Sequence, residues 1–136
     1  MRRLEGRTAI VTGSGQGIGE AIALALTEEG AAVVVAELGE GNADTVRQKI
    51  EEIGGTALAC PTDVSQEPSV SAMIQACLGR FGKVDILVNN AGIYPTSTVE
   101  EMTEEEWERV IGTNLIGTFL CSQAVTPHMM QQRSGR

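Results

Sequence analysis

The sequence predicts an α/β protein in which one parallel β-sheet carries helices on both faces. Short apolar runs alternate with longer helix-like stretches, which is typical of parallel strands joined by helical crossovers. The second apolar run, residues 32–36, contains no polar side chain, as expected of a strand covered on both faces. A glycine-rich turn at residues 12–19 joins the first strand to the first helix. Together these observations predict the first part of a doubly wound sheet of about four strands, in the order 3-2-1-4.

Cap and breaker residues set the boundaries of the predicted elements. The four predicted strands cover residues 8–11, 32–36, 57–60 and 86–88. The first helix is predicted for residues 17–29, with Gly30 where a C-terminal cap is expected. The second helix is predicted for residues 43–53, with Asn42 as its N-cap and a glycine pair at its end.

The third and last helices carry N-terminal signals of different kinds. The third is predicted for residues 67–80, with Ser65 as N-cap and Pro68 in the first turn, where a missing N–H does no harm. Thr103 and Glu106 form a capping-box pattern, which opens the last helical stretch.

That last stretch extends towards Met130, and a break is predicted near Gly112. Asn114 lies inside it. A mid-helix asparagine is unfavourable unless it relieves a bend or binds something. We therefore expect the Asn114 side chain either to relieve a bend in the helix or to bind a specific partner.

Length and charge narrow the class of protein. A chain of 136 residues is long enough for one domain with a modest core, so residues 1–136 are predicted to form a single domain. The net charge of −8 argues against nucleic acid or an anionic membrane as a partner. No apolar run approaches the length of a membrane span. We expect a cytoplasmic protein.

The cysteines predict neither a disulfide framework nor a metal site. Cys60, Cys77 and Cys121 are odd in number and widely spaced, and His128 is the only histidine. Buried free thiols in a reducing compartment are the favoured interpretation. His128, near a helix end, is expected to be solvated or to complement the helix dipole rather than to act in catalysis.

The turn at residues 12–19 reads T-G-S-G-Q-G-I-G. A glycine-rich turn between a buried strand and a helix lets backbone N–H groups close on a phosphate, and the helix dipole favours negative charge there. The spacing departs from G-x-G-x-x-G because Ile18 stands sixth from Gly13. A tight connection without a ligand is the alternative. Dinucleotide binding is the leading hypothesis.

Acidic side chains follow the second and third strands. Glu37 directly follows the second strand. A carboxylate there can accept the hydroxyl hydrogens of an adenosine ribose and would repel a 2′-phosphate, so NAD is favoured over NADP. The alternative is an ordinary solvated glutamate. Asp63 follows the third strand and is a candidate acceptor for the adenine amino group, with the Val64 N–H beside it. The alternative for Asp63 is an Asx turn leading into Ser65.

Two amide side chains, Asn89 and Asn90, stand directly behind the fourth apolar strand, before Ala91 and Gly92. Buried amides need hydrogen-bond partners. Neighbouring strand ends or a bound cofactor are the two sources considered for those partners.

Five motifs in order resemble the short-chain dehydrogenase/reductase family, especially the 3-oxoacyl-carrier-protein reductases. They are T-G-S-G-Q-G-I-G, V-V-V-A-E, T-D-V, D-I-L-V-N-N-A-G and T-N-L-I-G-T-F. The resemblance runs from about Gly6 to Arg136. It implies a Rossmann-like fold and hydride transfer between a nicotinamide cofactor and an alcohol or ketone, such as a 3-oxoacyl thioester.

The resemblance also implies roles for matching residues. Asn114 would be the active-site asparagine that holds a water in a proton relay by bending its helix. The implied cofactor-binding residues are Gly13, Ser14, Gln16, Gly17, Ile18, Gly19, Glu37, Asp63, Val64, Asn90, Ala91 and Gly92.

One part of the family pattern is missing from this sequence. The family uses a tyrosine with a lysine four residues later, on one helix face, and a serine on the preceding strand. Here Tyr94 is followed by Thr98, and the lysines are Lys49 and Lys83. We therefore expect an amino-terminal part of the enzyme that stops before strand five, binds cofactor weakly and lacks turnover alone. A non-catalytic dinucleotide-binding or subunit-interaction module is the alternative.

Exposed apolar surface predicts self-association. In the order 3-2-1-4 the strand at residues 86–88 is an edge that neither charge nor proline protects. The Asn114 helix also carries Leu115, Ile116 and Phe119, which need apolar cover. Contact through either surface is expected.

Overall fold

The computed structural model describes residues 2–136 and contains a four-stranded parallel sheet. The strands are β1 (Thr8–Thr12), β2 (Ala32–Glu37), β3 (Ala57–Pro61) and β4 (Ile86–Val88). They lie in the order β3-β2-β1-β4, and each neighbouring pair is parallel. The fold is Rossmann-like, and the predicted fold class and strand order are confirmed.

Within residues 2–136, the sheet is accompanied by five α-helices and one π-helical turn. The helices are α1 (Gly17–Glu28), α2 (Glu40–Glu52), α3 (Glu67–Phe81), α4 (Glu104–Ile111) and α5 (Gly117–Gln132), and the π turn between the last two is Gly112–Ile116. Helices α1 and α2 pack on one face of the sheet, and α3 and α5 pack on the other.

The core consists of two apolar layers separated by the sheet. Successive side chains of a strand point to opposite faces, so Ile10 packs in the layer under α3 and α5 while Val11 packs in the layer under α1 and α2. Along β2, Val34 and Val35 divide in the same way, and all four side chains are fully buried. Burial of each such side chain contributes about 1.5–3 kcal/mol to the free energy of folding. Burial on both faces explains why the strands contain so few polar residues.

Two predicted N-caps are wrong. Helix α2 begins at Glu40 with Gly39 as its N-cap, so Asn42 lies within the first turn. Glu40 is itself favourable there because a carboxylate complements the helix dipole. Helix α3 has Gln66 as its N-cap. Ser65 lies one residue before this cap, and its N–H and hydroxyl both donate to Asp63 Oδ1, at 3.0 and 2.6 Å.

The other predicted helix signals are found. The Gly30 N–H donates to Thr27 O at 2.8 Å, and Gly30 has a φ of 96°. Pro68 lies in the first turn of α3. Thr103 Oγ1 accepts from the Glu106 N–H at 3.1 Å. The capping box is only half formed, since the Glu106 carboxylate accepts from a serine hydroxyl elsewhere. The break predicted near Gly112 is the π turn.

The outer edge of β4 is partly paired. The Leu87 N–H donates to Arg136 O at 2.9 Å, and the Arg136 N–H donates to Asp85 O at 3.0 Å. The β4 side chains are half-buried. β4 is an edge strand, as predicted, and Arg136 covers part of its outer side.

Asp85 connects β1 to β4 at the amino ends of the strands. Its side chain is 6% exposed, and its carboxylate accepts from the Thr8 N–H at 2.9 Å. Arg7 lies at 3.0 Å and Lys83 at 3.4 Å from the carboxylate. Burial acts to raise the pKa of Asp85, but the Thr8 N–H and the two cations outweigh it and hold the pKa below its ordinary value.

Candidate functional site

A cleft of about 400 Å³ lies beyond the carboxyl ends of the strands. This is the edge where ligands bind in doubly wound sheets, at the point where the strand order reverses on either side of β1. Every predicted cofactor-binding residue except Ser14 lines it. The lining residues are Gly13, Gln16, Gly17, Ile18, Gly19, Glu37, Leu38, Thr62, Asp63, Val64, Asn90, Ala91, Gly92, Ile93 and Thr113.

Ser14 supports the glycine turn from inside the protein. Its hydroxyl donates to Val11 O at 2.7 Å, and its side chain is fully buried. The Gly13 N–H and the Ser14 N–H both donate to Ala36 O, at 2.8 and 3.4 Å. The turn is thereby attached to β1 and β2, and the Ser14 side chain does not reach the cleft.

The glycines of the turn serve different purposes. A Cβ at Gly19 would collide with Gly13 O and the Asn90 side-chain amide, so a glycine is needed for close packing of α1 against the strand ends. Gly17 has a φ of +57°, and a Cβ there would meet nothing within 4 Å. Gly17 is therefore required by its backbone conformation, and the space beside it opens into the cleft.

Helix α1 presents unpaired backbone donors to this space. The helix begins at Gly17, and the Glu20 N–H donates to Gln16 O at 3.2 Å. The N–H groups of Gly17, Ile18 and Gly19 precede the intrahelical hydrogen bonds. Three such donors at the positive end of a 12-residue helix form a site suited to an anion.

Asn90 joins the ends of β1 and β4. Its side-chain amide donates to Thr12 O and to Gly13 O, both at 3.0 Å. The backbone N–H groups of Asn90 and Ala91 both donate to Thr12 Oγ1 at 3.0 Å. Of the two predicted sources of partners, strand ends supply those of Asn90. The Asn89 amide instead donates to Ser122 Oγ at 3.1 Å.

Glu37 lies at the end of β2, facing the glycine turn. Its Oε2 accepts from the Gly15 N–H at 2.8 Å, and its Oε1 accepts from the Leu38 N–H at 3.1 Å. Each carboxylate oxygen has a second lone pair for a further donor. None of the cleft residues given above is Arg or Lys, so no cation of the cleft neutralises this carboxylate.

Asp63 forms the Asx turn that was the alternative to ligand binding. Both of its hydrogen bonds from Ser65 fall on Oδ1, and its backbone N–H donates to Ser69 Oγ at 2.9 Å. Val64 is 6% exposed and packs closely on Gly117, where a Cβ would lie 2.6 Å from Val64 Cγ2. Both residues nevertheless line the cleft.

Asn114 stands in the middle of the π turn. Its Oδ1 accepts from the Ile93 N–H at 2.8 Å, and its Nδ2 donates to Ile93 O at 3.0 Å. The side chain therefore fixes the loop that follows β4. The helix is locally irregular at Asn114, as a π turn, and the cleft is reached by Thr113 and Ile93 rather than by Asn114 itself.

Four cleft residues are absent from the sequence-based prediction. Leu38 and Thr62 directly follow β2 and β3, so the rule that ligands bind at carboxyl strand ends was a signal for both. Ile93 directly follows the predicted residues 90–92, and Thr113 directly precedes Asn114. The sequence indicates a specific role for Asn114 but not that Ile93 is its partner.

The thiols lie outside the cleft. All three cysteines are free; Cys77 and Cys121 are buried, but Cys60 is only half-buried. Burial raises the pKa of Cys77 to about 12 and that of Cys121 to about 11, which keeps both thiols protonated and unreactive. Within residues 2–136, no three His, Cys, Asp or Glu side chains converge as a metal site. No helix of that range is both long and apolar enough to cross a membrane.

Comparisons with known proteins agree with this geometry. The family model described as short chain dehydrogenase matches residues 7–136. The 3-oxoacyl-[acyl-carrier-protein] reductase of Staphylococcus epidermidis is 45% identical over 130 residues, which cover 95% of this chain and 53% of the reductase. An uncharacterised oxidoreductase of Methylorubrum extorquens is 43% identical over 130 residues, covering 95% of this chain and 52% of that protein.

A solved structure is similar over the same region. The 7α-hydroxysteroid dehydrogenase complexed with NADH and 7-oxo glycochenodeoxycholic acid has a TM-score of 0.93 and 38% identity, over 98% of this chain and 52% of that chain. The chain thus spans about half the length of the relatives it matches.

Proposed function

Since the chain belongs to the short-chain dehydrogenase family, we propose that it is the dinucleotide-binding part of an NAD-dependent oxidoreductase. One observation carries this proposal: the free N–H groups at the start of α1 and the Glu37 carboxylate face the same cleft. The first suits a pyrophosphate and the second suits an unphosphorylated ribose. A nicotinamide cofactor supplies the hydride chemistry when bound.

The pyrophosphate is assigned to the glycine turn. The N–H groups of Gly17, Ile18 and Gly19 would donate to its oxygens, with Gly13 and Gln16 bordering them. The open space beside Gly17 leaves room for the phosphates, and the dipole of α1 favours their charge. Ser14 acts from within by holding the turn in place, rather than by contact with the ligand.

Glu37 is assigned to the adenosine ribose. The free lone pairs of its carboxylate would accept the ribose hydroxyl hydrogens. A 2′-phosphate at this place would meet a carboxylate, and the cleft residues include no arginine or lysine to offset the repulsion. NAD is therefore proposed as the cofactor, with NADP disfavoured.

Asp63 and Val64 are assigned to the adenine. The Asx turn uses Oδ1 of Asp63, and Oδ2 is the oxygen proposed to accept the adenine amino group. Asn90, Ala91 and Gly92 would border the cofactor at the end of β4. Their backbone is held by Thr12, which gives the cleft a fixed wall.

The proposed reaction is hydride transfer between nicotinamide and an alcohol or ketone, with a 3-oxoacyl thioester or a similar compound as substrate. Asn114 would position the loop after β4 and, through its bent helix, a water of the proton relay. Tyr94 is 91% exposed and is followed four residues later by Thr98. Residues 1–136 alone are therefore proposed to bind cofactor weakly and to lack turnover.

A non-catalytic dinucleotide-binding module remains the second candidate, since residues 1–136 contain no Tyr-x-x-x-Lys pair. It shares the cleft with the first candidate but predicts no alcohol oxidation or ketone reduction by the protein that carries this chain. Turnover assays of that protein separate the two.

The cofactor proposal is tested by calorimetric titration of NAD into the protein and its Gly17→Val variant. We expect Gly17→Val to weaken binding about 100-fold, because the valine fills the phosphate space and one or two charge-assisted hydrogen bonds of about 1.5–3 kcal/mol are lost.

Gly82→Val is the matched control. Gly82 also has a positive φ, +75°, with nothing within 4 Å of an added Cβ, but it caps α3 away from the cleft. Both variants carry similar backbone strain, so only Gly17→Val should lose affinity. Equal affinities in the two variants, or no NAD binding by the unmodified protein, would refute the proposal.

We also propose that the protein self-associates through the apolar face of the α4–α5 region. Trp107, Leu115 and Phe119 are 60%, 64% and 59% exposed there, and exposed apolar surface of this kind can pair with its own copy about a two-fold axis. Light scattering should show a dimer or larger assembly that Phe119→Glu dissociates. Val99→Glu, at a 93% exposed loop position, should not dissociate it. A monomeric parent protein would contradict this proposal.

A further inference from the structure

Gly15 lies directly beneath the Glu37 side chain. It is buried in the glycine turn, and its N–H donates to Glu37 Oε2 at 2.8 Å. Its φ lies outside the positive range, in contrast to the +65° of Gly13 and the +57° of Gly17. The backbone at Gly15 is therefore outside the left-handed region that favours glycine, and the reason for glycine is space.

The space is taken by two neighbouring side chains. A Cβ at Gly15 would overlap Glu37 Cγ and lie 2.7 Å from Glu37 Oε2, and it would lie 2.8 Å from Asn42 Cβ. Glu37 Cγ and Oε2 belong to a flexible side chain that can rotate away, whereas Asn42 Cβ is attached directly to the backbone of α2. An added methyl group would therefore displace the Glu37 carboxylate and would also push the start of α2 outward slightly. Neither shift breaks the sheet.

We propose that Gly15 is a positioning residue for cofactor specificity, because its missing side chain lets the Glu37 carboxylate rest on the glycine turn. This inference rests on the proposed NAD site. The Gly15 N–H and the Leu38 N–H hold the two carboxylate oxygens, which fixes the negative charge where a 2′-phosphate would have to lie. Without the contact at Gly15, the carboxylate swings into solvent and its repulsion of a 2′-phosphate weakens.

Specificity in this protein thus depends on a pair of residues from two strand ends. Glu37 supplies the charge, and Gly15 determines where that charge is held. The glycine turn would therefore act twice: it would bind the pyrophosphate, and through Gly15 it would position the carboxylate that binds the ribose. Asn42, in the first turn of α2, also packs against Gly15.

The test is calorimetric titration of NAD and NADP into the protein and its Gly15→Ala variant. We expect the ratio of NADP to NAD dissociation constants to fall about tenfold in Gly15→Ala, which corresponds to the loss of one charge-assisted hydrogen bond. Gly41→Ala is the control, since a Cβ at Gly41 meets nothing within 4 Å. It should leave the ratio unchanged.

A double-mutant cycle separates positioning from a general effect on the turn. In a Glu37→Ala background, adding Gly15→Ala should leave the ratio unchanged, because the group that Gly15 positions is gone. An unchanged ratio in Gly15→Ala alone, or an equal change in both backgrounds, would overturn the inference while leaving the NAD site intact. Failure of the unmodified protein to bind either cofactor would instead refute the proposed function itself.

Discussion

A carboxylate at one end of the sheet is paired with cations, and a carboxylate at the other end is not. At the amino ends of the strands, Asp85 is 6% exposed and is bonded by the Thr8 N–H, Arg7 and Lys83. At the carboxyl ends, Glu37 is half-buried and accepts two backbone N–H groups without any cation in its cleft. One carboxylate is neutralised by its neighbours and the other is not.

The difference separates a structural charge from a binding charge. A buried carboxylate with all its partners supplied by the chain connects elements and stabilises them. A carboxylate that keeps free lone pairs beside the positive end of a helix can still bind a ligand. Perturbation of the Asp85 pKa is therefore a sign of structure here, although perturbed groups often mark functional sites.

Between these two carboxylates, the largest expected effect is on stability, at Asp85. Asp85→Ala removes the acceptor of the buried Thr8 N–H and leaves Arg7 and Lys83 without their anion. Since both cations are about half exposed, most of the loss comes from the Thr8 hydrogen bond. We expect about 2 kcal/mol less stability, or about 8 °C in melting temperature, by thermal denaturation.

The control for Asp85→Ala is Glu37→Ala, which should lower the melting temperature by far less. Asp85→Ala should also leave the preference between NAD and NADP unchanged. A similar loss of stability in both variants would remove the contrast between the two ends of the sheet.

The next effect is on cofactor preference, at Glu37. Glu37→Ala removes the charge that opposes a 2′-phosphate, so the preference for NAD over NADP should fall about tenfold in calorimetric titrations. Glu40→Ala, which removes a carboxylate at the start of α2 outside the cleft, should change the preference little. Tighter binding of NADP than NAD by the unmodified protein would show that the role assigned to Glu37 is wrong.

The smallest effect is a pH dependence of stability. The folded-state pKa of Asp85 lies below its ordinary value of 3.8, so its stabilisation is complete above that value and is lost as the pH falls below it. Asp85→Asn cannot titrate. Denaturant unfolding should therefore show a stability difference between parent and Asp85→Asn that shrinks as the pH is lowered through this range. A constant difference would exclude the Asp85 carboxylate as the titrating group.

Much of the fold could be predicted because it depends on periodicity and connection length. The apolar runs, the helical stretches between them and the handedness of crossovers lead to the order β3-β2-β1-β4. The caps of α2 and α3 could not be placed in the same way. Asn42 and Ser65 are good N-cap residue types, but Asn42 lies within the first turn of α2, and Ser65 is engaged by Asp63.

The residues of the candidate site also fall into two groups, those that local sequence patterns predict and those that depend on tertiary contacts. Gly17, Glu37 and Asp63 could be found because each opens a predicted helix or lies within three residues of the end of a predicted strand. Ser14 belongs to the same motif, yet its hydroxyl turns inward to Val11 O. Thr113 lies far along the chain and lines the cleft beside Ile93, both of whose backbone groups bond to the Asn114 side chain.

The sequence by itself determined the layers of this protein, the order of its strands and the edge at which a ligand would bind. These follow from local periodicity and from the chirality of the chain, which act over short stretches. Only the tertiary structure decided which side chains of the motifs face the cleft and which hold it together. That distinction depends on contacts between distant residues, such as Gly15 with Glu37 and Asp85 with Thr8, and no local pattern records where two strand ends will meet.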